Sequence, residues 1–561
     1  MRTAAIVDDL RVSVIAGTYV VMFGFDMPES SCEGLLGFSI HRTDHTENEA
    51  GYLQAMKTFV ETDPGFPAGS LYSTKDHPVQ SFQWADYSAK PGHVYTYVIT
   101  ANKGTPTNLT PFSAAVVEVN TETPETGDHD VYFNRGIAAS QAYVRRFGDK
   151  APEEVPNGKA FEWLSRGLYE ALEEYIRSCE PGRDALRIAA YEFYYDKILD
   201  LVKEVLDSGV DIQIIYDARK DSPKLKNIAA SQAKGLDGAN ISFPRTQPKS
   251  YISHNKFIVK LRDGKPLSVW TGGTNFSEGG IYGHSNVAHV VEEPKIAGKF
   301  LEYWDALKQD PFSGDLKESV EAISPLPNPE EVKPPTGTTV LFSPRKNLDA
   351  LEWYANLAKS ARDGLFMTFA FGMNDVFKDV YRTSCAPFRL ALLEKKTRSM
   401  ADGPERQAEE QAIQNLRNMP ENIFAIGTFI RTNAIDGWVK ERLTGLNSHV
   451  RFIHNKFMLV DPLGDDPVVV AGSANFSDNS TRRNDENMII SRGNTRVADI
   501  YLGEFMRLYS HHAFRESLQW RDPKDPPKKL RTDDWWSNYF GNTPRSTRRK
   551  FFSPNCNSAE Q

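Results

Sequence analysis

An internal repeat constrains this chain more than any other feature. Ser253–Leu261 reads SHNKFIVKL and Ile453–Asp461 reads IHNKFMLVD, while Thr271–Ser277 (TGGTNFS) is echoed by Ala471–Ser477 (AGSANFS). Both pairs are displaced by 200 positions, and within each copy the asparagine follows the histidine by 21. A repeat that keeps two motifs and their separation implies two homologous structural units. They are expected over residues 129–325 and 336–515.

Each copy places chemistry at fixed spacing. In a strand, alternate side chains share a face, so His254 and Lys256 project together while Asn255 and Phe257 project the other way. His454 and Lys456 repeat the pattern. Gly272, Gly273 and Gly472 are expected to let the backbone pass close to a bound anion before Asn275 and Asn475 reach inward. Two such units packed face to face would assemble two imidazoles, two ammonium groups and two carboxamides. Lysine supplies charge, asparagine supplies N–H donors, and histidine supplies a nucleophile and a proton donor. That set handles a phosphate without a metal, so neither metal nor cofactor is expected.

The 561 residues leave ample room on either side of the repeat. A net charge of -8 supplies no global field for nucleic acid, although it leaves a local basic cleft open. Cys32, Cys179, Cys385 and Cys556 are scattered without a C-x-x-C pair, which argues against a disulfide framework or a zinc site and fits a reducing compartment. The apolar stretch Val12–Phe25 follows Asp8 and Asp9 and is interrupted by Ser13, Thr18 and glycines, so it reads as a strand pair rather than a leader. No run is long and apolar enough to span a membrane. A cytoplasmic protein is expected.

Residues 1–125 carry short β-prone runs separated by turn residues, the texture of an all-β sandwich. The stretch FQWADYSAKPGHVYTYVITANKG resembles a fibronectin type III or immunoglobulin-like module, with Trp84 and Tyr95 or Tyr97 as core aromatics. From 129 onward strand and helix patterns alternate, predicting a parallel or mixed sheet covered by helices. Ala401–Asn415 is expected as a surface helix. The tail, 516–561, mixes bases such as Lys528, Lys529 and Arg549 with Trp535, Trp536, Phe540, Phe551 and Phe552. It suits nucleic acid, a membrane surface, or simple packing onto the rest of the chain.

With these residues in view, the doubled HNK…NFS set resembles the HxK(x)4D…N signatures of the phospholipase D superfamily. The resemblance covers roughly 129–515. It implies a multidomain architecture: an N-terminal sandwich followed by two homologous α/β lobes of phospholipase D type. It also implies a phosphodiesterase that works through a phosphohistidine. Carried over residue by residue, the site is His254, Lys256, Asn275, His454, Lys456 and Asn475. Asp461 completes the second motif, whereas Leu261 stands at that place in the first, with Asp263 the nearest acid. The superfamily's aspartate is mostly structural. Ser277 and Ser477 have two open readings, phosphate contact or capping of the following turn. Phe276 and Phe476 are expected in the core, and His284 and His289 as wall or packing residues.

Glu486 follows His454 by 32 residues, where the superfamily often has a carboxylate that orients its own lobe's histidine; Asn286 follows His254 by the same interval. A carboxylate favours imidazolium and an amide does so less. His454 is therefore expected as the leaving-group acid, held by Glu486, and His254 as the nucleophile, held by Asn286. The substrate is a phosphodiester. Acidic charge and the aromatic tail favour a phospholipid. The GSANFS motif resembles nucleases of the superfamily, and a catalytically silent binding protein that uses the sandwich for an unknown partner is a third possibility.

Overall fold

In the computed structural model, the described residues are 1–67, 70–136, 141–148, 150–219, 221–328, 331–398, 402–427, 452–517 and 528–553. The N-terminal part is two four-stranded antiparallel sheets packed face to face. One orders Arg2–Val7, Leu10–Ala16, Val21–Asp26 and Gln83–Asp86; the other orders Asn108–Asn120, Val94–Thr105, Gly37–Asp44 and Glu49–Tyr52. The expected strand pair at Val12–Phe25 is thus Leu10–Ala16 against Val21–Asp26. Alternation positions the core: Tyr95, Tyr97 and Ile99 point inward beside Val119, Val117 and Ala115, with which they are in register. The Tyr97 hydroxyl donates to Asp86 at 3.0 Å, so its polar end is satisfied. Trp84 departs from expectation. It is only half-buried: beside Phe23 it packs against the sandwich core from an edge strand, while Ala85 on the other face joins the core of the lobes.

Two seven-stranded mixed sheets follow, and they have one topology. The first orders His129–Phe133, Val287–Val291, Lys265–Gly272, Lys256–Arg262, Asp184–Ala190, Asp211–Asp217 and Ser242–Arg245. The second orders Gly337–Ser343, Glu486–Arg492, Val468–Gly472, Phe457–Val460, Gly364–Phe369, Phe388–Leu393 and Asn422–Ile426. The last three strands of each run parallel and the others antiparallel. Central strands such as FIVKL and FMLV are buried along their whole length, since helices or the other lobe cover both faces. The expected helix within Ala401–Asn415 is Pro404–Arg417.

The lobes share one core. Phe257, Phe300, Tyr303 and Trp304 of the first pack in the same cluster as Phe342, Phe366, Phe457, Tyr501 and Phe505 of the second. Helix Pro294–Lys308 lies on the first sheet and reaches strand Gly337–Ser343, and helix Thr495–Ser517 lies on the second and reaches His129–Phe133. Each buried aromatic here contributes about 1.5–3 kcal/mol relative to exposure, so separating the lobes is costly.

The tail resolves in favour of packing. Trp535 and Phe540 are buried in the sandwich core, and the Trp535 Nε1 donates to the Leu35 carbonyl at 2.6 Å. Helix Pro544–Phe552 wedges Phe551 and Phe552 against Phe388 of the second lobe. Of its bases, Lys529 pairs with Asp63 and Arg549 with Asp26, while Lys528, Arg545 and Lys550 are exposed. Among the described residues no helix is long and apolar enough to cross a membrane.

Candidate active site

His254 lies just ahead of strand Lys256–Arg262, and His454 occupies the matching place before Phe457–Val460. The backbone before each histidine pairs with the other lobe. The His254 N–H donates to the Asp485 carbonyl at 2.9 Å and the Asp485 N–H to the Ile252 carbonyl at 3.0 Å. In the mirror contact, the Ser285 N–H donates to Phe452 at 2.9 Å and the His454 N–H to Ser285 at 3.2 Å. These exchanges clamp the two histidine segments across the lobe boundary.

The clamp corrects the expected histidine partners. Glu486 does not hold His454: its Oε2 stands 2.8 Å from Nδ1 of His254. Asn286 does not hold His254: its Oδ1 stands 2.9 Å from Nδ1 of His454. The residue 32 positions beyond each histidine reaches the opposite lobe's ring, because strand Glu486–Arg492 begins where Asp485 pairs beside Ser253. The Asn286 orientation is fixed by its Nδ2, which donates to the Gly280 carbonyl at 2.6 Å and lies 2.9 Å from His284 Nδ1. Its Oδ1 is thus the acceptor, so His454 carries its proton on Nδ1 and presents a bare Nε2. Glu486 also accepts from the Ser473 hydroxyl at 2.6 Å, which fixes the carboxylate.

Both lysines are enclosed, Lys256 at 1% and Lys456 at 0% exposure, and each ammonium donates to the carbonyl of its own histidine. Burial pushes the Lys256 pKa down to about 7, with Glu486, Glu192 and Asp217 acting in the opposite sense. Lys456 is driven well below the usual lysine range by burial and by Lys256. His254 falls to about 4 through burial, partly offset by Glu486. His454 falls well below its ordinary value through burial, then Lys456 and His284. Such a cluster of crowded, desolvated cations and bases is relieved when an anion enters.

The Oδ1 atoms of Asn275 and Asn475 are buried and have no partner among the described residues. Gly272 and Gly472 serve a different purpose from the one expected. A Cβ at Gly272 would lie 2.4 Å from the Val287 carbonyl oxygen and one at Gly472 2.2 Å from that of Asn487. Close approach of the neighbouring strand, rather than of an anion, requires these glycines. Ser477 caps helix Asp478–Arg482, accepting from the Ser480 N–H at 3.3 Å, while Ser277 donates to Glu192 at 2.6 Å and accepts from Gly280. Phe276 and Phe476 are core residues. The His284 ring lies 4.4 Å from that of His454 and forms the wall, whereas His289 packs between His129 and Tyr501 away from the site.

Asp461 points away from the pocket. Its carboxylate accepts the N–H groups of Arg362, Asp363 and Gly364 at 2.9, 2.8 and 3.1 Å, tying the strand end to the turn beside it. The first lobe manages with Leu261 because Asp184 secures the equivalent corner, accepting the Glu180 N–H at 2.9 Å and pairing with Arg262. Asp461→Ala should therefore cost about 1.5–3 kcal/mol, the range for hydrogen bonds to a charged group. A lowered urea midpoint of the chain is the measurement; an unchanged midpoint would contradict this role.

Four acids lie outside the repeated motifs. Asp217 accepts the Ser253 N–H at 2.7 Å and Glu394 accepts the Ile453 N–H at 2.9 Å, so each lobe steadies its histidine segment with an acid. The signal existed: DIQIIYD and FRLALLE are strands that each reach an acid at their carboxyl end. Glu192 accepts from Asn275 Nδ2 at 2.9 Å as well as from Ser277. Asp485 joins the lobes through buried Arg219 and Arg245, at 2.5 and 3.2 Å.

Against this geometry, a family model described as "Cardiolipin synthase, PLD-like domain" matches residues 172–308 and again 355–509, together just over half of the chain. Phosphatidylserine synthase from Haemophilus influenzae superposes at TM-score 0.43 with 13% identity, covering 62% of this chain and 85% of that one. Polyphosphate kinase from Porphyromonas gingivalis gives 0.36 and 11%, covering 66% of this chain but only 52% of its own, so this chain spans about half of that protein. Yeast tyrosyl-DNA phosphodiesterase gives 0.32 and 11%, covering 58% and 87%. No curated protein sequence matches the chain.

Proposed function

The chain belongs to the PLD-like domain family of cardiolipin synthase type, and from that premise we propose that it hydrolyses a phosphodiester through a phosphohistidine on His254. The observation that carries the reading is that each histidine is held from across the lobe boundary, one by a carboxylate and one by an amide. Lys256, Lys456 and the asparagine amides bind the non-bridging oxygens. His254 Nε2 attacks phosphorus as the bond to the leaving oxygen breaks, and His454 gives that oxygen its Nε2 proton. Water then attacks the phosphohistidine, neutral His454 takes its proton, and the P–N bond breaks to release a phosphomonoester.

The role of each histidine rests on a different argument from the ground-state one made on the sequence. The nucleophile is neutral before attack and cationic once bonded to phosphorus, so a carboxylate at its Nδ1 stabilises the transition state selectively. The acid is cationic before transfer and neutral after it, so a carboxylate there would stabilise the wrong state. Glu486 on His254 and Asn286 on His454 match nucleophile and acid respectively. The substrate anion beside His454 is what raises its pKa enough to load the proton.

The two lysines supply the cationic charge that a metal supplies elsewhere. Activity is therefore expected to persist in EDTA. The test incubates the protein in EDTA with phosphatidylcholine vesicles, single-stranded DNA and duplex DNA. Turnover of one of them supports the proposal and identifies the substrate class; turnover only after magnesium is added would overturn the mechanism. With the aromatic tail buried, the phospholipid reading now leans on the acidic net charge.

A further inference from the structure

We propose that Glu192 sets the charge the phosphate pocket accepts, favouring a singly charged phosphodiester over a doubly charged phosphomonoester. This rests on the phosphate-binding role just assigned to the pocket. Glu192 lies two residues beyond Ala190, which is in register with Lys256. Its Oε2 receives both the Asn275 amide and the Ser277 hydroxyl, at 2.9 and 2.6 Å. An anion bound between Asn275 and Lys256 therefore meets a fixed carboxylate behind the amide.

Among the described residues the second lobe has no counterpart at this place. Its matching strand ends at Phe369, and the position equivalent to Glu192 is Phe371, a half-exposed aromatic. The asymmetry changes the electrostatic balance of the site. Lys256 and Lys456 carry two positive charges at most, and Glu486, Glu192 and Asp217 act on Lys256 in the opposite sense. Glu486 is committed to His254 and Asp217 to the Ser253 N–H, whereas Glu192 faces the anion through Asn275. A diester adds one negative charge to this set, and a monoester dianion adds two. The reaction converts the first into the second, so the same repulsion that disfavours the dianion as ligand speeds its departure as product.

Coulomb energy is linear in ligand charge, so removing one carboxylate should help a dianion by the square of the factor by which it helps a monoanion. For Glu192→Gln this means about threefold tighter binding of a monoanion and about tenfold tighter binding of a dianion. Glutamine keeps an acceptor for Asn275 and Ser277, so the amide stays oriented. The probes are inorganic phosphate and dimethyl phosphate, titrated calorimetrically into the full chain at about pH 5.5 and about pH 8.5, on either side of a phosphate's second ionisation. Dimethyl phosphate stays monoanionic and reports any change in the pocket's own charge; a dianion feels such a change as its square, so wild type and Glu192→Gln are compared at the same pH. In the wild type the phosphate-to-dimethyl-phosphate affinity ratio should fall at the higher pH; Glu192→Gln should raise that high-pH ratio about threefold, and Glu192→Asp should leave it near wild type. An unchanged ratio, or equal weakening of both ligands, would overturn the proposal and mark Glu192 as a structural support of Asn275. Neither readout needs turnover, so failure to cleave any diester would count against the hydrolase reading and not against this one.

Discussion

Replacing His254 with alanine should abolish the phosphoenzyme and lower turnover by roughly 10⁴-fold or more, the scale seen when one member of a concerted catalytic unit is lost. His454→Ala should behave differently. Its rate deficit should be large for a diester with a poor leaving alcohol and small for one with an activated leaving group, because only the former needs the proton. Residues that act as a unit are non-additive, so the double variant should be little slower than His254→Ala alone. Single-turnover quenching with a labelled diester measures the covalent species directly. Label trapped on His454 would reverse the two roles. Label on neither histidine would remove the covalent route.

Glu486→Gln should lower the rate of phosphoenzyme formation by about 10–100-fold, corresponding to the ~1.5–3 kcal/mol of a charged hydrogen bond. The deficit should be similar for good and poor leaving groups, since the charge that Glu486 balances grows on the nucleophile. The pH dependence has a definite sign. Burial holds the His254 pKa at about 4, and Glu486 acts to raise it. Without the carboxylate the pKa falls, so the acid limb of kcat/KM moves to lower pH while the plateau drops. Asn286→Asp acts on the other ring. It should raise the pKa of His454, weaken it as an acid, and move the basic limb to higher pH, with the largest rate loss for poor leaving groups. Should Glu486→Gln instead impair only poor leaving groups, the carboxylate would be serving the acid, and His254 would take that role.

The sequence by itself determined a good deal, and what it determined is local or periodic. Two copies of HNK…NFS at one spacing established two homologous lobes, because equal spacing reflects equal strand order; the sheets have the same topology. Alternation predicted that His254 and Lys256 share a face, and Phe276 and Phe476, expected in the core, lie there. What only the tertiary structure decided is what lies across an interface. Glu486 and Asn286 stand at the same interval from their motifs in sequence, yet each serves the other lobe's histidine, since the segments before the two histidines pair with the opposite sheet. Gly272 and Gly472 looked like anion contacts, and each is a place where a neighbouring carbonyl needs the room of a missing Cβ. The tail shows the same limit: its aromatic and basic composition suited a polyanion or a membrane, but a composition does not say which surface buries it. Trp535 and Phe540 close the sandwich and Phe551 reaches the second lobe, contacts joining residues hundreds of positions apart. A repeat records how one lobe is built, whereas pairing across a pseudo-symmetric boundary depends on the orientation of two bodies, which no interval along a single chain encodes.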